Sequence, residues 1–151
     1  MEEPLKTINQ QLIRLLNQMW DMEEKLIRTE GYQDLTNNDM HVLQAIGTGE
    51  ARNMSAVART LNITVGSLTT SIKGLVRKKY VQRRHSERDR RQVLVSLTEK
   101  GKRAYKRHED LQRQMSLAIL KKLDKEELQV LIKTMDAVSK FSRDYTEDKE
   151  S

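Results

Sequence analysis

Residues 54–77 decide the fold: Met54-Ser55-Ala56-Val57-Ala58-Arg59-Thr60-Leu61, then Asn62-Ile63, then Thr64-Val65-Gly66-Ser67-Leu68-Thr69-Thr70-Ser71-Ile72-Lys73-Gly74-Leu75-Val76-Arg77. The first eight residues spell a short helix that carries Val57 and Leu61 inward. Asn62-Ile63-Thr64 reads as a tight turn, with Thr64 as the hydroxyl N-cap of a second helix from Val65 to about Lys79. Two helices joined so closely, the second well capped, form a helix-turn-helix. Each helical residue turns about 100°. Setting Leu68 against the core brings Ile72 and Leu75 beside it, with Val65 and Val76 on the flank. The opposite face is then Gly66, Ser67, Thr70, Lys73 and Arg77. A solvated face chosen for helix stability favours Ala, Glu, Lys and Gln. A face of glycine and small hydroxyls admits base edges closely, and its basic end reaches bases or phosphates. Thr64 and Thr69 are counted with these five as candidate DNA contacts.

A hairpin directly after the second helix completes the pattern. Val81 to Arg84 and Gln92 to Leu97 read as strands, with Val93, Val95 and Leu97 alternating onto one face. Between them lies the polar turn Ser86-Glu87-Arg88-Asp89-Arg90-Arg91. Arg88, Arg90 and Arg91 are placed to enter a minor groove beside the recognition helix. Asp89 either holds a neighbouring guanidinium in a bidentate pair or forms the turn. A helix-turn-helix joined to a basic hairpin is a winged helix, so the fold class is mostly α with a small β-hairpin.

Helices flank this core. Ile8, Leu12, Leu15, Leu16, Met19, Met22 and Leu26 make the apolar stripe of a long first helix, which Gly31 ends. Thr36 with Asp39 forms a capping box for the next, whose Met40, Val42, Leu43 and Ile46 precede the stops Gly47 and Gly49. Thr98 caps a helix running through Gly101 to about Lys122. Asp124 with Glu127 opens a last helix to about Tyr145, striped by Leu128, Leu131, Met135, Val138 and Phe141. The expected organisation is a DNA-binding domain over 36–104, a helical dimerisation region over 1–30 and 105–145, and a flexible tail over 146–151.

The charge agrees with this division. The 151 residues hold 28 Lys and Arg against 22 Asp and Glu, a net +6. Residues 53–108 hold 15 basic and 3 acidic side chains, net +12, while 1–52 carry −4 and 109–151 carry −2. Such a block attracts a polyanion through counterion release. The absence of Cys excludes disulfides, thiolate metal sites and thiol switches. His41, His85 and His108 fall on separate elements, which argues against a metal site. No phosphate loop, nucleophile elbow or His-Glu-x-x-His occurs, so neither an enzyme nor a cofactor is expected. No apolar run approaches a membrane span, and the acidic start Met-Glu-Glu-Pro-Leu-Lys is no secretion signal, so a cytoplasmic protein is expected.

The stretch Ser55-x-Val57-Ala58-x-x-Leu61-x-Ile63-x-x-Gly66-x-x-Thr69-x-x-Ile72-x-x-Leu75 resembles the helix-turn-helix of MarR-family transcription regulators. Lys79-Tyr80-Val81-x-Arg83 resembles that family's entry into the wing, and Asp89-Arg90-Arg91 with Val95-x-Leu97-Thr98-x-x-Gly101 resembles its wing signature. The resemblance implies a homodimer whose first and last helices interlock with the partner's. It also implies that paired recognition helices take successive major grooves of a pseudo-palindrome in double-stranded DNA, with wings in the minor grooves, and that the regulator is a repressor. Carried over by position, Asp89 and Arg91 match the family's conserved pair in the wing. Asp39-Met40-His41-Val42-Leu43-x-x-Ile46-Gly47 and Val65-Gly66-Ser67-Leu68-Thr69-Thr70-Ser71 further resemble the FabT subgroup. That likeness implies control of fatty-acid synthesis genes with acylated acyl carrier protein as corepressor.

A small-molecule or acyl-type effector would act where the first two helices meet the fifth, changing the spacing of the recognition helices. Trp20, Met22, Met40, His41, Leu43 and Ile46 are the candidate lining, with plain core packing as the competing reading. A different class of function, a helical module docking an acidic protein through the basic block, is the alternative.

Overall fold

The structure, a computed structural model, describes residues 1–29 and 31–150. The elements run α1 (Glu2–Thr29), α2 (Asn37–Ile46), β1 (Arg52–Asn53), α3 (Met54–Leu61), α4 (Val65–Arg77), β2 (Val81–His85), β3 (Val93–Leu97), α5 (Glu99–Leu120) and α6 (Lys125–Glu150). This is a winged helix fold, with six helices and one small antiparallel sheet among the described residues. Residues 1–109 form one compact unit and residues 110–151 another. Of the expected dimerisation region, residues 1–29 and 105–109 fall in the first unit and residues 110–145 in the second. No described helix is long and apolar enough to cross a membrane.

The helix starts are written in side-chain hydrogen bonds. Thr36 accepts from the Asp39 amide at 3.0 Å and its own amide donates to the Asp39 carboxylate at 3.0 Å, closing the box that opens α2. Asp124 and Glu127 do the same for α6 at 2.9 Å each. Thr64 accepts from the Ser67 amide at 3.1 Å to start α4. Gly47, with φ +72°, closes α2 in a conformation that side chains rarely adopt.

Leu43, Val57, Leu68, Ile72, Leu75, Tyr80 and Val95 are fully buried and form one core beneath α2, α3, α4 and the sheet. Each aliphatic member contributes about 1.5–3 kcal/mol by leaving water. Leu61, expected inside, is half-buried, and Val65, expected on the flank, is exposed. The sheet has the order β1-β3-β2, so the hairpin gains a third strand. Arg52 pairs with Val95 and Asn53 with Leu94. The Arg52 guanidinium donates to the Ala45 carbonyl and, at 3.1 Å, to the Thr60 hydroxyl. A cation is favourable there, at the carbonyl end of α2.

Two buried side chains, Tyr80 and His108, make further contacts in this unit. Tyr80 donates its hydroxyl to Asp34 at 2.6 Å, with the Lys100 ammonium 4.3 Å from its ring centre. Burial and the Asp34 carboxylate hold the Tyr80 proton well above the usual tyrosine range. His108, buried on α5, lies between α1 and α2: its Nδ1 is 2.8 Å from the Gln44 amide nitrogen and its Nε2 is 3.2 Å from Glu23. Because the Gln44 nitrogen can only donate, Nδ1 accepts and Nε2 donates to the carboxylate.

Helix ends differ from the sequence expectation in three places. α4 stops at Arg77, because Lys79 takes a left-handed φ of +69° that turns the chain into β2. α5 stops at Leu120. Residues 146–150, expected as a flexible tail, continue α6. No glycine or proline interrupts them, and Thr146 donates to the Ser142 carbonyl at 2.9 Å. Ser151, the last residue of that expected tail, lies outside the described residues, as does Glu30 at the end of the expected 1–30 span.

Candidate nucleic-acid interface

α4 shows its two faces as the periodicity requires. Leu68, Ile72 and Leu75 are sealed in the core, while Gly66, Ser67, Thr70, Lys73 and Arg77 are exposed. Neither Lys73 nor Arg77 has an ion-pair partner among the described residues. The hydroxyls divide by how firmly they are held. Thr64 is committed to the cap, and Thr69, half-buried, donates to the Val65 carbonyl at 2.8 Å. Thr70 reaches the Gly66 carbonyl only at 3.5 Å, so little is lost when its hydroxyl turns outward to a base edge.

Beside α4 the wing presents Arg88, Asp89, Arg90 and Arg91, all exposed. Its turn is closed by the Ser86 amide donating to the Gln92 carbonyl and the Gln92 amide donating to the Asp89 carbonyl, both at 2.9 Å. His85 donates through Nδ1 to the Arg90 carbonyl at 2.9 Å, since a carbonyl only accepts. Asp89 takes the turn-forming role. Its carboxylate accepts from the Arg91 amide at 3.0 Å, and among the described residues it pairs with no guanidinium. The two-residue offset favours that backbone donor over a side chain that must fold back. The arginines thereby keep their charge for a ligand.

The wing also overhangs the helices, which the sequence reading missed. A cleft of about 540 Å³ between α3, α4 and the hairpin is lined by Ser55, Arg59, Thr69, Arg83, Arg91 and Gln92 among others. Strand parity was the available signal. Arg83 is paired with inward-facing Val95, so Arg83 shares the helix-facing side of the hairpin with Val81 and Val93. Some basic residues of the lobe are already engaged. Arg52 clamps α2, and Lys78 pairs with Asp39 at 2.9 Å.

The six expected effector residues do not share one cavity. Leu43 and Ile46, three apart on the inward stripe of α2, are core; Met40 is buried beside them; His41 points to solvent and Met22 is half-buried. Trp20 alone lines the cleft of about 480 Å³ between the end of α1 and the start of α2, with Ile27, Leu35, Asn37 and the paired Glu24 and Arg28.

Comparison with known proteins agrees with this geometry. Residues 35–101 match a family described as a winged helix DNA-binding domain. SarZ, an HTH-type transcriptional regulator of Staphylococcus aureus, is 39% identical over 69 residues, which is 46% of this chain and 47% of that one. The chain spans less than two thirds of the length of the curated relatives it matches. Among solved structures, FabT of Streptococcus pneumoniae in complex with DNA is 31% identical, with a TM-score of 0.85 over 93% of this chain and 99% of that one. MarR of E. coli is 25% identical, with a TM-score of 0.60 over 85% of this chain and 93% of that one. Winged helix, recognition face and near full-length likeness converge: the chain belongs to the MarR family of winged helix-turn-helix transcription regulators.

Proposed function

We propose that the chain is a repressor that binds a pseudo-palindromic operator as a homodimer under the control of a small-molecule or acyl-type effector. The observation that carries this reading is the bare face of α4, small at one end and cationic at the other, beside a wing whose arginines are unneutralised. Phosphate contacts fix register, and the small hydroxyl face reads base edges. Selection from random duplexes should return a two-fold motif. About ten phosphate contacts would give a log–log salt slope near −9. Sequence-indifferent binding overturns the repressor reading and returns the alternative of a basic docking module.

A dimer is supported by apolar side chains left exposed on the two terminal helices. Leu5, Ile8, Leu12, Leu15, Leu16 and Trp20 are exposed on α1, and Val130, Met135, Val138 and Phe141 on α6. Faces of this size are covered in stable proteins, and a two-fold interface uses each twice. Leu12→Ala is expected to raise the dimer dissociation constant by on the order of tenfold or more, read by sedimentation equilibrium. An unchanged constant removes α1 from the interface. For the effector, the resemblance of the α2 and α4 stretches to the FabT subgroup is the ground for an acyl-type ligand carried by acyl carrier protein, and the cleft beside Trp20 and Leu35 offers an apolar wall.

A further inference from the structure

We infer that the cleft between α3, α4 and the wing seats a phosphodiester of the DNA backbone, with Arg59 and Arg83 as its positioning residues alongside Arg91. This deepens the DNA-binding reading and rests on it. Three arginines from three elements, α3, β2 and the wing turn, line one cleft of about 540 Å³. Among the described residues that line it, none is acidic. None of the three guanidinium groups has a hydrogen-bond or ion-pair partner among the described residues, whereas Arg52 nearby is fully engaged. Like charges lining one cleft without a counter-charge repel, and an anion relieves that repulsion. Ser55, exposed on the first turn of α3, adds a hydroxyl donor to the wall.

The position selects the source of the phosphate. The cleft adjoins the reading face of α4 through Thr69 and the wing through Arg91 and Gln92. A strand passing from the major groove under α4 to the minor groove under the wing tip crosses it. Arg88 and Arg90 lie outside the cleft, so the wing's arginines divide: two remain at the tip, and Arg91 turns back toward the helices. Contacts to a backbone phosphate carry no sequence information, so Arg59 and Arg83 set register and affinity but not base preference.

The test uses the full chain, a duplex recovered by selection, and the variants Arg59→Gln and Arg83→Gln, each checked for an unchanged thermal midpoint. Each variant is expected to weaken selected and random duplexes by the same factor. Each should lower the magnitude of the salt slope by about 1.8, one contact per half-site. A scan of single methylphosphonate linkages should find one backbone position per half-site whose neutralisation weakens the wild type but adds no further loss in Arg83→Gln. Variants with wild-type affinity and slope, or an interference map that Arg83→Gln leaves intact, overturn the inference while the operator reading stands. Inorganic phosphate titrated at constant ionic strength separates the other source. Competition at submillimolar phosphate that vanishes in Arg83→Gln assigns the cleft to a free anion and overturns the backbone assignment. A wild type that prefers no duplex sequence overturns the operator reading itself.

Discussion

Gly101→Ala is expected to destabilise the protein by about 3 kcal/mol, lowering the thermal midpoint by about 10 °C. A Cβ built at Gly101 meets the Tyr80 carbonyl oxygen at 2.1 Å and its carbon at 3.1 Å. The obstacle is backbone, so no side-chain rotation relieves it. That oxygen also accepts the Thr98 amide at 3.0 Å, and the Thr98 hydroxyl accepts the Gly101 amide at 3.1 Å, so displacement breaks the start of α5 as well. Gly74→Ala is the control. It lies within α4 with nothing inside 4 Å of the added carbon, and the same methyl there should be neutral or stabilising by about 0.5–1 kcal/mol. Thermal denaturation of both variants reads the difference. Equal midpoints would mean that α5 does not approach Tyr80 this closely.

Gly66→Leu has the opposite profile. Its Cβ would find only the Thr64 hydroxyl, at the ordinary distance of 3.9 Å, and the residue is exposed in the first turn of α4. Folding is expected to be unchanged or slightly improved, since leucine is the better helix former. Binding to the selected duplex should fall by on the order of 100-fold or more, because the side chain occupies the closest approach of helix to base edge. Binding to random duplexes, held by phosphate contacts, should persist. Titrations of both duplexes, with circular dichroism on the same sample, check this. Retained specificity would show that α4 enters the groove by another face.

Both glycines were visible in the sequence, but only their surroundings tell them apart. The helices, caps and hairpin were legible because each is specified locally: Thr36 and Asp39 are three residues apart, and Leu68, Ile72 and Leu75 keep the period of the helix. β1 was not legible. Two residues carry no alternation, and Arg52 reads as one more cation until its contact with Ala45 is seen. The left-handed turn at Lys79 has no glycine or asparagine to announce it. Asp89 left two roles open that only the position of the Arg91 amide decides. Arg59 and Arg83, 24 residues apart, share a cleft through the packing of the hairpin on the helices, which no local pattern encodes. The six expected effector residues are dispersed for the same reason: the α2 stripe packs in the core, and the open cleft gathers the end of α1 and the loop before α2.

The short strand β1 has a mechanical meaning. It stitches the α2–α3 connection to β3, the inner strand of the wing, while β3 is paired along its other edge with β2. The core residues of α4 and of the wing strands thus belong to one sheet-backed cluster, which makes a single reading head in the DNA complex proposed above. In that complex its gauge, the offset between the point that would probe one groove and the point that would probe the next, is set by the shared core. An effector of the kind proposed above would then act on neither probe alone. In the dimer proposed above, what is left to adjust is the separation of two such heads, so the proposed control would reduce to setting one distance against the pitch of the duplex.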